Sequence, residues 1–304
     1  MKTFWFVLLI SLLCFFVPVV ARASEKLKVV ATNSIVEDWV RNVAGDLVDL
    51  TVLVGPNSDV HTFEPTPLDN VLLSKADIVF EIGLGLEHWM DKLFAASQSR
   101  AKRVALTSGV IEQPLTILRL GREHHQDMDP HVWHNVHYVI GMVKRLSRTL
   151  KNQDPANAQI YEKNTQMYLA QLQELDSWIL RATSQISKAQ RQLVTNHDSL
   201  GYFCERYQFV LVGAAFDSAT TEAEDPSARD MAQLIAKIKK TGVHAVFAEN
   251  IQNSKVITSL AKEANIELAP SLYTDALGSK GSPAETYIKM IRYNVQTIVS
   301  MLKT

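Results

Sequence analysis

The feature that most constrains the fold is a segment near the middle of the chain, Ala156 to about Ala189, that contains neither glycine nor proline. Its apolar side chains recur at the spacings of one helix face: Tyr161, Tyr168, Leu172, Leu175, Ile179, Ala182 and Ile186. At about 1.5 Å per residue, the segment predicts a helix on the order of 50 Å long. Such a helix can be a rigid connector between two lobes or an amphipathic helix packed on a single domain.

Short apolar runs alternate with helix-length segments on both sides of this stretch. The first series is Leu27–Ala31, Ile35–Ala44, Val48–Val54, Ile78–Ile82, Leu86–Ala95 and Val104–Leu106. The second series is Gln192–Thr195, Phe209–Val212, Ala228–Lys239, Ala245–Glu249, Ser254–Ala264, Ile266–Leu268 and Glu285–Met301. Such alternation is typical of α/β units with parallel strands. The sequence therefore predicts an α/β fold of two lobes with parallel sheets, residues 24–151 and 190–304, joined by a single long connecting helix within residues 152–189.

The N-terminal residues have the pattern of a secretory signal peptide. Lys2 precedes an apolar run from Phe4 to Val20, and Ala21-Arg22-Ala23 offers a cleavage site. A retained membrane anchor is the alternative, although the run is short for a membrane-spanning helix. Cys14 follows Ser11-Leu12-Leu13, which lacks the small residues expected before a lipidated cysteine. We therefore expect residues 1–23 to be removed and the mature protein to be periplasmic and free of lipid.

Net charge limits the kinds of partner that the protein can have, and cysteine content limits the kinds of cross-link and metal site. Removal of the signal takes away Lys2 and Arg22 but no acid, so the formal net charge changes from −1 to −3. This balance does not indicate a nucleic-acid partner. Only Cys204 then remains, which excludes an intramolecular disulfide and a cysteine-built zinc site. A thiol in the core is the expected role of Cys204.

Four residues far apart in the sequence are candidate metal ligands. His61 lies in a glycine- and proline-rich loop after Val48–Val54, and His131 lies in Asp129-Pro130-His131-Val132-Trp133. His197 follows the predicted strand Gln192–Thr195, and Asp275 lies in Tyr273-Thr274-Asp275-Ala276-Leu277-Gly278. Open α/β sheets bind ligands beyond the carboxyl ends of their strands. Imidazole and carboxylate suit zinc, manganese or ferrous iron, whereas copper would favour cysteine or methionine clusters.

Other polar residues near these candidates have two alternative roles each. We expect His134 and His137 to support the site or to lie on a helix surface, and Glu249 to accept a hydrogen bond from a ligand or to be a buried acid at a strand end. The segment from Gly121 to Asp129 contains His124-His125 and several carboxylates. It is either a small loop that attracts metal or a solvated connection.

The ordered set of motifs resembles the cluster 9, or cluster A-I, metal-binding receptors of bacterial ABC importers. The resemblance covers essentially the whole mature chain and is carried by Val29-Val30-Ala31-Thr32, the His61 loop, Glu87-His88-Trp89, Asp129-Pro130-His131-Val132-Trp133, Asn196-His197-Asp198, Ala248-Glu249 and Thr274-Asp275-Ala276-Leu277-Gly278. It implies two α/β lobes joined by one backbone helix, a metal in the cleft, and delivery to a membrane permease. The family's ligand positions correspond to His61, His131, His197 and Asp275.

Two segments depart from the family pattern. Trp133-His134-Asn135-Val136-His137 replaces the leucine, acid and proline that follow this tryptophan in many relatives, and the segment from Gly121 to Asp129 is shorter than the histidine-rich insertions of several zinc receptors. In the resembling family, manganese and iron receptors commonly have glutamate at the position of His197. The resemblance therefore favours Zn²⁺ as the transported ligand, with manganese as the alternative and ferrous iron behind it.

The resemblance implies a binding protein, most simply a monomer, and no enzyme. A secreted metallohydrolase is the alternative from another class, but it would need an open coordination position and a general base. The chain contains no H-E-x-x-H helix motif. A surface adhesin, which some bacteria build on the same sequence family, is a third alternative that a cleaved signal without a lipidation site disfavours.

Overall fold

The computed structural model describes residues 25–118, 126–216, 226–251 and 254–303. The predicted signal peptide and the His124-His125 pair lie outside the described residues. No helix in the described part combines the length and the apolar character that crossing a membrane requires.

Within the described residues, ten strands form two parallel sheets and one short antiparallel pair. The first sheet contains β1 (Leu27–Asn33), β2 (Val48–Val54), β3 (Ile78–Glu81) and β4 (Lys102–Ala105). The antiparallel pair is β5 (Thr116–Leu118) with β6 (Gln126–Met128), and the second sheet contains β7 (Gln192–Thr195), β8 (Val210–Ala214), β9 (Ala245–Glu249) and β10 (Glu267–Leu272). The two parallel sheets have the orders β2-β1-β3-β4 and β10-β9-β7-β8. Numbered within each sheet, both are the order 2-1-3-4, which confirms the predicted α/β fold with two parallel sheets.

Nine helices are described around these sheets. They are α1 (Ser34–Ala44), α2 (Pro67–Ser74), α3 (Met90–Ser97), α4 (Val136–Gln153), α5 (Ala158–Thr183), α6 (Gly201–Tyr207), α7 (Ala228–Thr241), α8 (Lys255–Ala264) and α9 (Tyr287–Leu302). Capping residues mark the N-terminal ends of α1 and α7. The Asn33 side chain accepts hydrogen bonds from the N–H groups of Ile35 and Val36 at the start of α1, and Ser227 with Asp230 forms a capping box at the start of α7.

The long helix α5 lies between the two sheets in the sequence and packs against α1, α4 and α9. It has 26 residues, which corresponds to a length of about 39 Å. The predicted uninterrupted helix from Ala156 to Ala189 is therefore too long. At its N-terminal side Pro155–Asn157 forms a 3-10 turn after α4 ends, and after Thr183 the chain turns before a second 3-10 turn at Lys188–Gln190.

The core is larger on the N-terminal side of the molecule. The main cluster of buried apolar residues joins the first sheet to α1, α4, α5 and α9, so the C-terminal helix α9 packs beside α5 and α1. A smaller cluster lies between the second sheet and helices α7 and α8. Because strands within each sheet are parallel, their carboxyl ends share one edge, and the segments that leave those edges form the site described next.

Candidate metal centre

The structure brings all four sequence-predicted ligands into one buried cluster. His61 lies between β2 and α2, His131 follows β6, His197 follows β7, and Asp275 follows β10. The candidate ligand atoms of these residues all lie within 4.8 Å of one another. None of the four residues is more than 1% exposed. Two candidates precede α5 and two follow it, so both halves of the molecule contribute to the cluster.

The spacing of the ligand atoms is compact and nearly uniform. The Nε2 atom of His131 lies 3.3 Å from Nε2 of His61 and 3.3 Å from Nε2 of His197. Oδ2 of Asp275 lies 3.4 Å from Nε2 of His61 and 3.2 Å from Nε2 of His197, and Oδ1 lies 3.7 Å from Nε2 of His131. Three imidazole nitrogens and one carboxylate therefore face a common point.

His61 and His131 are each held by a local turn of the same type. In Asp59-Val60-His61, the backbone N–H of His61 donates to Oδ1 of Asp59 at 2.8 Å. In Asp129-Pro130-His131, the N–H of His131 donates to Oδ1 of Asp129 at 2.9 Å. Asp and Asn side chains commonly bond the backbone two residues further on in turns. The repeated Asp-x-His pattern thus orients both ligand residues in segments that have no regular secondary structure.

Buried carboxylates orient two of the imidazole rings. Nδ1 of His131 lies 2.8 Å from Oδ1 of Asp129, and Nδ1 of His197 lies 2.6 Å from Oε2 of Glu249. A protonated Nδ1 of His131 donates to Asp129, which leaves the Nε2 lone pair available to a metal and increases its basicity. At His197 the contact with Glu249 is an ion pair without hydrogen-bond geometry. The same Glu249 accepts from the backbone N–H of His197 and from Oγ1 of Thr274, so it joins two ligand segments. The expectation that Glu249 supports a ligand agrees with this geometry.

The environment of the Asp275 carboxylate favours a cation beside it. Among the described residues, no group donates a hydrogen bond to either of its carboxylate oxygens, although both oxygens are buried. A buried charge without compensation is costly, and a metal ion or a cationic histidine removes that cost. The segment that carries Asp275 is also bound to the N-terminal half. Its Thr274 carbonyl accepts from Nε1 of Trp133 at 2.8 Å, and the Leu277 N–H donates to Oγ of Ser34 at 3.0 Å.

The electrostatics of the cluster are dominated by burial and by mutual attraction. Burial lowers the pKa of His131 to about 3, so this ring is neutral at physiological pH. Burial also disfavours the charged form of His197, but the nearby Glu249 and Asp275 carboxylates outweigh it and hold the pKa of His197 well above its usual value. Burial favours protonation of Asp275, yet His197 and His131 hold its pKa well below the usual range. The two carboxylates thus favour a positive charge at His197, and a proton and a divalent ion would compete for this ring.

The other sequence candidates among the described residues do not join the cluster. His134 is buried rather than on a helix surface, and burial lowers its pKa to about 3, so its ring is neutral. His137 is exposed in the first turn of α4. Cys204 is buried in the core, as expected for a structural thiol, and burial raises its pKa.

Sequence reasoning missed several residues that shape the site. The roles of Asp59 and Asp129 were not predicted, although the repeated Asp-x-His pattern could have revealed them. Nothing in the sequence pairs Trp133 with Thr274, because a bond across 141 positions depends on how the two halves pack. The Trp133 ring also lies beside the site, with its centroid 5.3 Å from that of His131.

The arrangement is suited to holding an ion rather than to activating water. Four protein ligands complete a tetrahedral set, whereas catalytic zinc sites keep one position for water or substrate. All four candidate ligands are buried, so the described conformation is closed around the central point. An ion bound there is captured, and its release requires part of the surrounding structure to move.

Comparisons with known proteins identify the family and cover nearly the whole chain. Residues 29–301 match the family model described as "Zinc-uptake complex component A periplasmic". The manganese-binding lipoprotein MntA of Halalkalibacterium halodurans is 34% identical over 278 residues, which are 91% of this chain and 89% of that protein. The iron ABC transporter substrate-binding lipoprotein MtsA of Streptococcus pyogenes serotype M1 is 31% identical over 281 residues, covering 90% and 88% of the two chains.

Solved structures show the same architecture. The periplasmic zinc-binding protein TroA from Treponema pallidum superposes with a TM-score of 0.82 at 30% sequence identity, over 92% of this chain and all of that chain. The predicted resemblance to metal receptors of ABC importers is thereby confirmed, as is the fold of two lobes with a long connecting helix. A metal ABC importer works with a membrane permease, and its receptor faces the outside of the cytoplasmic membrane. The hydrolase alternative is not supported. The chain belongs to the zinc-uptake complex component A family, whose members are the metal-binding receptors of ABC importers and not enzymes.

Proposed function

We propose that this protein captures zinc with His61, His131, His197 and Asp275 and delivers it to the permease of its importer. The observation that carries the proposal is the buried set of three imidazole nitrogens and one carboxylate around one point. This donor set is the one that four-coordinate zinc favours. The ion is the transported substrate, so the site must hold it tightly and also release it.

The distances within the set support zinc. A tetrahedron whose vertices lie about 2.05 Å from its centre, the zinc–nitrogen distance, has edges of about 3.35 Å. Four separations between ligand atoms lie between 3.2 and 3.4 Å, and Oδ1 of Asp275 lies 3.7 Å from Nε2 of His131. Manganese favours more oxygen ligands in an octahedral arrangement. The set around Asp275 supplies a single carboxylate, which supports zinc over manganese.

Manganese is the alternative within the same function, and ferrous iron follows it. The relatives' names point to different metals, since MntA is called manganese-binding, MtsA an iron receptor and TroA zinc-binding. The names therefore do not select one metal for this chain. The proposal rests on the nitrogen-rich donor set, and in particular on an imidazole at His197 in place of a carboxylate.

Release must involve movement of the segments that carry the ligands. Each candidate ligand is buried, and hydrogen bonds join the two halves at several points, including Trp133 to Thr274 and Ser34 to Leu277. The packing of α5 against α1, α4 and α9 opposes a wide hinge opening. We infer small shifts of the ligand segments during delivery, since closely packed structures switch between discrete arrangements.

The location, chain organisation and oligomeric state complete the proposal. We propose a monomer in the periplasm that begins at Ser24, with lobes at residues 24–151 and 190–304 and a connecting region at residues 152–189. The two relatives above are named lipoproteins, and a lipid on Cys14 is the contrasting outcome. Mass spectrometry of the mature protein separates these outcomes, because a start at Ser24 and a lipid-modified Cys14 give different masses. Light scattering in solution tests the monomer.

Competition between zinc and manganese tests the proposed metal. Affinity of the parent protein is not decisive by itself, because most nitrogen and oxygen sites bind zinc more tightly than manganese. The sharper measurement compares the zinc-to-manganese affinity ratio of the parent with that of His197→Glu. We expect the ratio to fall at least about tenfold in the variant, about 1.4 kcal/mol, because a carboxylate replaces a nitrogen ligand.

Elemental analysis of the protein purified without chelator, from cells supplied with equal zinc and manganese, should then find zinc at one equivalent per chain. Manganese at one equivalent would overturn the choice of metal. An unchanged ratio in His197→Glu would show that His197 does not set the preference. His137→Glu is the matched control, since His137 is exposed and outside the cluster.

A further inference from the structure

We infer that the indole N–H groups of Trp89 and Trp133 position the metal ligands His61 and Asp275. Each indole donates to the carbonyl of the residue immediately before a ligand. Nε1 of Trp89 donates to the Val60 carbonyl at 2.9 Å, and Nε1 of Trp133 donates to the Thr274 carbonyl at 2.8 Å. This inference rests on the proposed ligand set and adds two positioning residues to it.

His61 and Asp275 differ from the other two ligands in how the carbonyl before them is bound. A side-chain N–H binds it, and we call each such hydrogen bond a tether. Before His131, the Pro130 carbonyl accepts from the Val132 N–H at 2.8 Å, and before His197, the Asn196 carbonyl accepts from the Phe216 N–H at 2.7 Å. These bonds are made by the backbone itself. Before His61 and Asp275, the acceptor carbonyls are bound by indoles instead.

A tryptophan is well suited to this task. Its ring is large, rigid and packed on both faces, so its N–H has a fixed position relative to the core. Trp89 is 5% exposed and stacks edge-on against Phe63 with ring centroids 4.7 Å apart. Trp133 is 1% exposed, and its own carbonyl accepts from the Tyr287 hydroxyl at 2.6 Å. Each indole therefore holds a ligand segment at a fixed position relative to the core.

The two tethers differ in what they connect. Trp89 and Val60 both belong to the N-terminal half, so that bond fixes His61 within one lobe. Trp133 reaches Thr274 across 141 positions, so that bond holds the carboxylate ligand of the C-terminal half against the N-terminal half. A surface residue reinforces the first tether, because Nε2 of His88 donates to the His61 carbonyl at 2.7 Å.

The test deletes each indole N–H while retaining an aromatic ring. The variants are Trp89→Phe and Trp133→Phe, and the matched control is Trp39→Phe. Trp39 is fully buried, and its N–H has no acceptor within the described residues, so this change costs packing without removing a tether. The measurements are the dissociation rate of Zn²⁺ into excess chelator, the visible spectrum of the Co²⁺-loaded protein and the unfolding curve of the metal-free protein.

We expect Trp89→Phe and Trp133→Phe to release zinc about two- to tenfold faster than Trp39→Phe, the range that one neutral hydrogen bond supports. The Co²⁺ spectrum should change in both, because the ligand geometry relaxes, and should match the parent in Trp39→Phe. Dissociation rates and spectra equal to those of Trp39→Phe would overturn the inference. A loss of stability without these changes would also overturn it, since packing alone would then explain the residues.

A second pair of variants, at His88, gives a test that does not depend on substitutions in the core. His88 is exposed, so His88→Ala removes a donor to the His61 carbonyl with little risk to the core, and His88→Gln keeps an N–H at a similar position. Faster zinc release in His88→Ala than in His88→Gln supports tethering of the His61 segment, and equal rates contradict it. His131→Ala is included as a reference. Normal zinc binding by that variant would refute the proposed site, whereas weak binding together with inert tryptophan variants would refute only the tethers.

Discussion

The Nε2 atoms of His131 and His197 lie 3.3 Å apart, although the residues are 66 positions apart in the chain and on opposite sides of α5. Carboxylates lie against Nδ1 of both rings, Asp129 at 2.8 Å and Glu249 at 2.6 Å. Their Nε2 atoms therefore face each other and Asp275. Two imidazole nitrogens at this separation favour a cation between them, either a proton or a metal ion. The fold thus places the two rings to share one cation.

Removing any one of the histidine ligands should weaken zinc binding without unfolding the protein. For His61→Ala, His131→Ala and His197→Ala we expect at least about a tenfold rise in Kd, about 1.4 kcal/mol, because each change removes one nitrogen ligand. Competitive titration against a zinc-binding dye measures it. His137→Ala should bind zinc as the parent does, since His137 is exposed outside the cluster. Parent-like titration by all three ligand variants would refute the site.

Asp275→Asn tests the only anionic ligand. The substitution keeps the size and one oxygen but removes the charge that offsets desolvation of the ion, so zinc affinity should fall. The Asp275 segment should also exchange amide hydrogens faster in the zinc-loaded variant than in the zinc-loaded parent. Hydrogen exchange over Tyr273–Gly278 measures this. Unchanged affinity, together with equal protection with and without zinc, would make Asp275 a turn residue.

Glu249→Gln tests the carboxylate behind His197. Glu249 lies against Nδ1 of His197 and also accepts from the His197 N–H and the Thr274 hydroxyl. Loss of the Glu249 charge should make Nε2 of His197 a weaker metal ligand and raise the zinc Kd about 10- to 100-fold. Glu263→Gln, an exposed change on α8, is the control. Equal zinc affinity in the two variants would show that Glu249 is only a packed acid at a strand end.

Asp38 should give the metal-free protein a pH dependence that is separate from the metal site. Burial raises the pKa of Asp38 from 3.8 to about 6. A carboxyl whose pKa is higher in the folded state stabilises the fold below its unfolded pKa, and this contribution is lost as pH rises from about 4 to about 6. Asp38→Asn avoids that loss and can still accept from the Tyr168 hydroxyl and the Tyr287 N–H, which both donate to Oδ2.

The free energy of unfolding of Asp38→Asn relative to the parent should therefore increase across this window, by at most about 3 kcal/mol. Urea unfolding of both proteins without metal, at several pH values from 4 to about 8, measures the difference. Parallel pH profiles for the two proteins would show that Asp38 keeps an ordinary pKa.

Much of the fold and the candidate site could be predicted because the signals were local. Apolar runs such as Val48–Val54 and Ala245–Glu249 coincide with strands, and His197 lies just beyond a strand end as predicted. The length of the connecting helix could not be read from the absence of glycine and proline. The chain leaves the helix after Thr183, although no glycine or proline follows until Gly201.

The contacts between the two halves could not be predicted from single residues. The Trp133–Thr274 bond and the shared use of Glu249 by His197 and Thr274 depend on how the lobes pack. Sequence position placed Asp275 in the C-terminal half, but it did not indicate that the N-terminal half binds the same segment. The ligand residues could be identified because their chemistry is distinctive, whereas the groups that position them are ordinary core and loop residues.

The central claim is that His61, His131, His197 and Asp275 together bind one divalent ion. A crystal of the zinc-loaded protein, with diffraction data recorded on both sides of the zinc absorption edge, tests it most directly. We predict one strong anomalous peak, about 2.0–2.2 Å from Nε2 of each histidine and from an Asp275 oxygen. A peak elsewhere in the protein, or zinc that leaves His131 and His197 uncoordinated, would contradict the account.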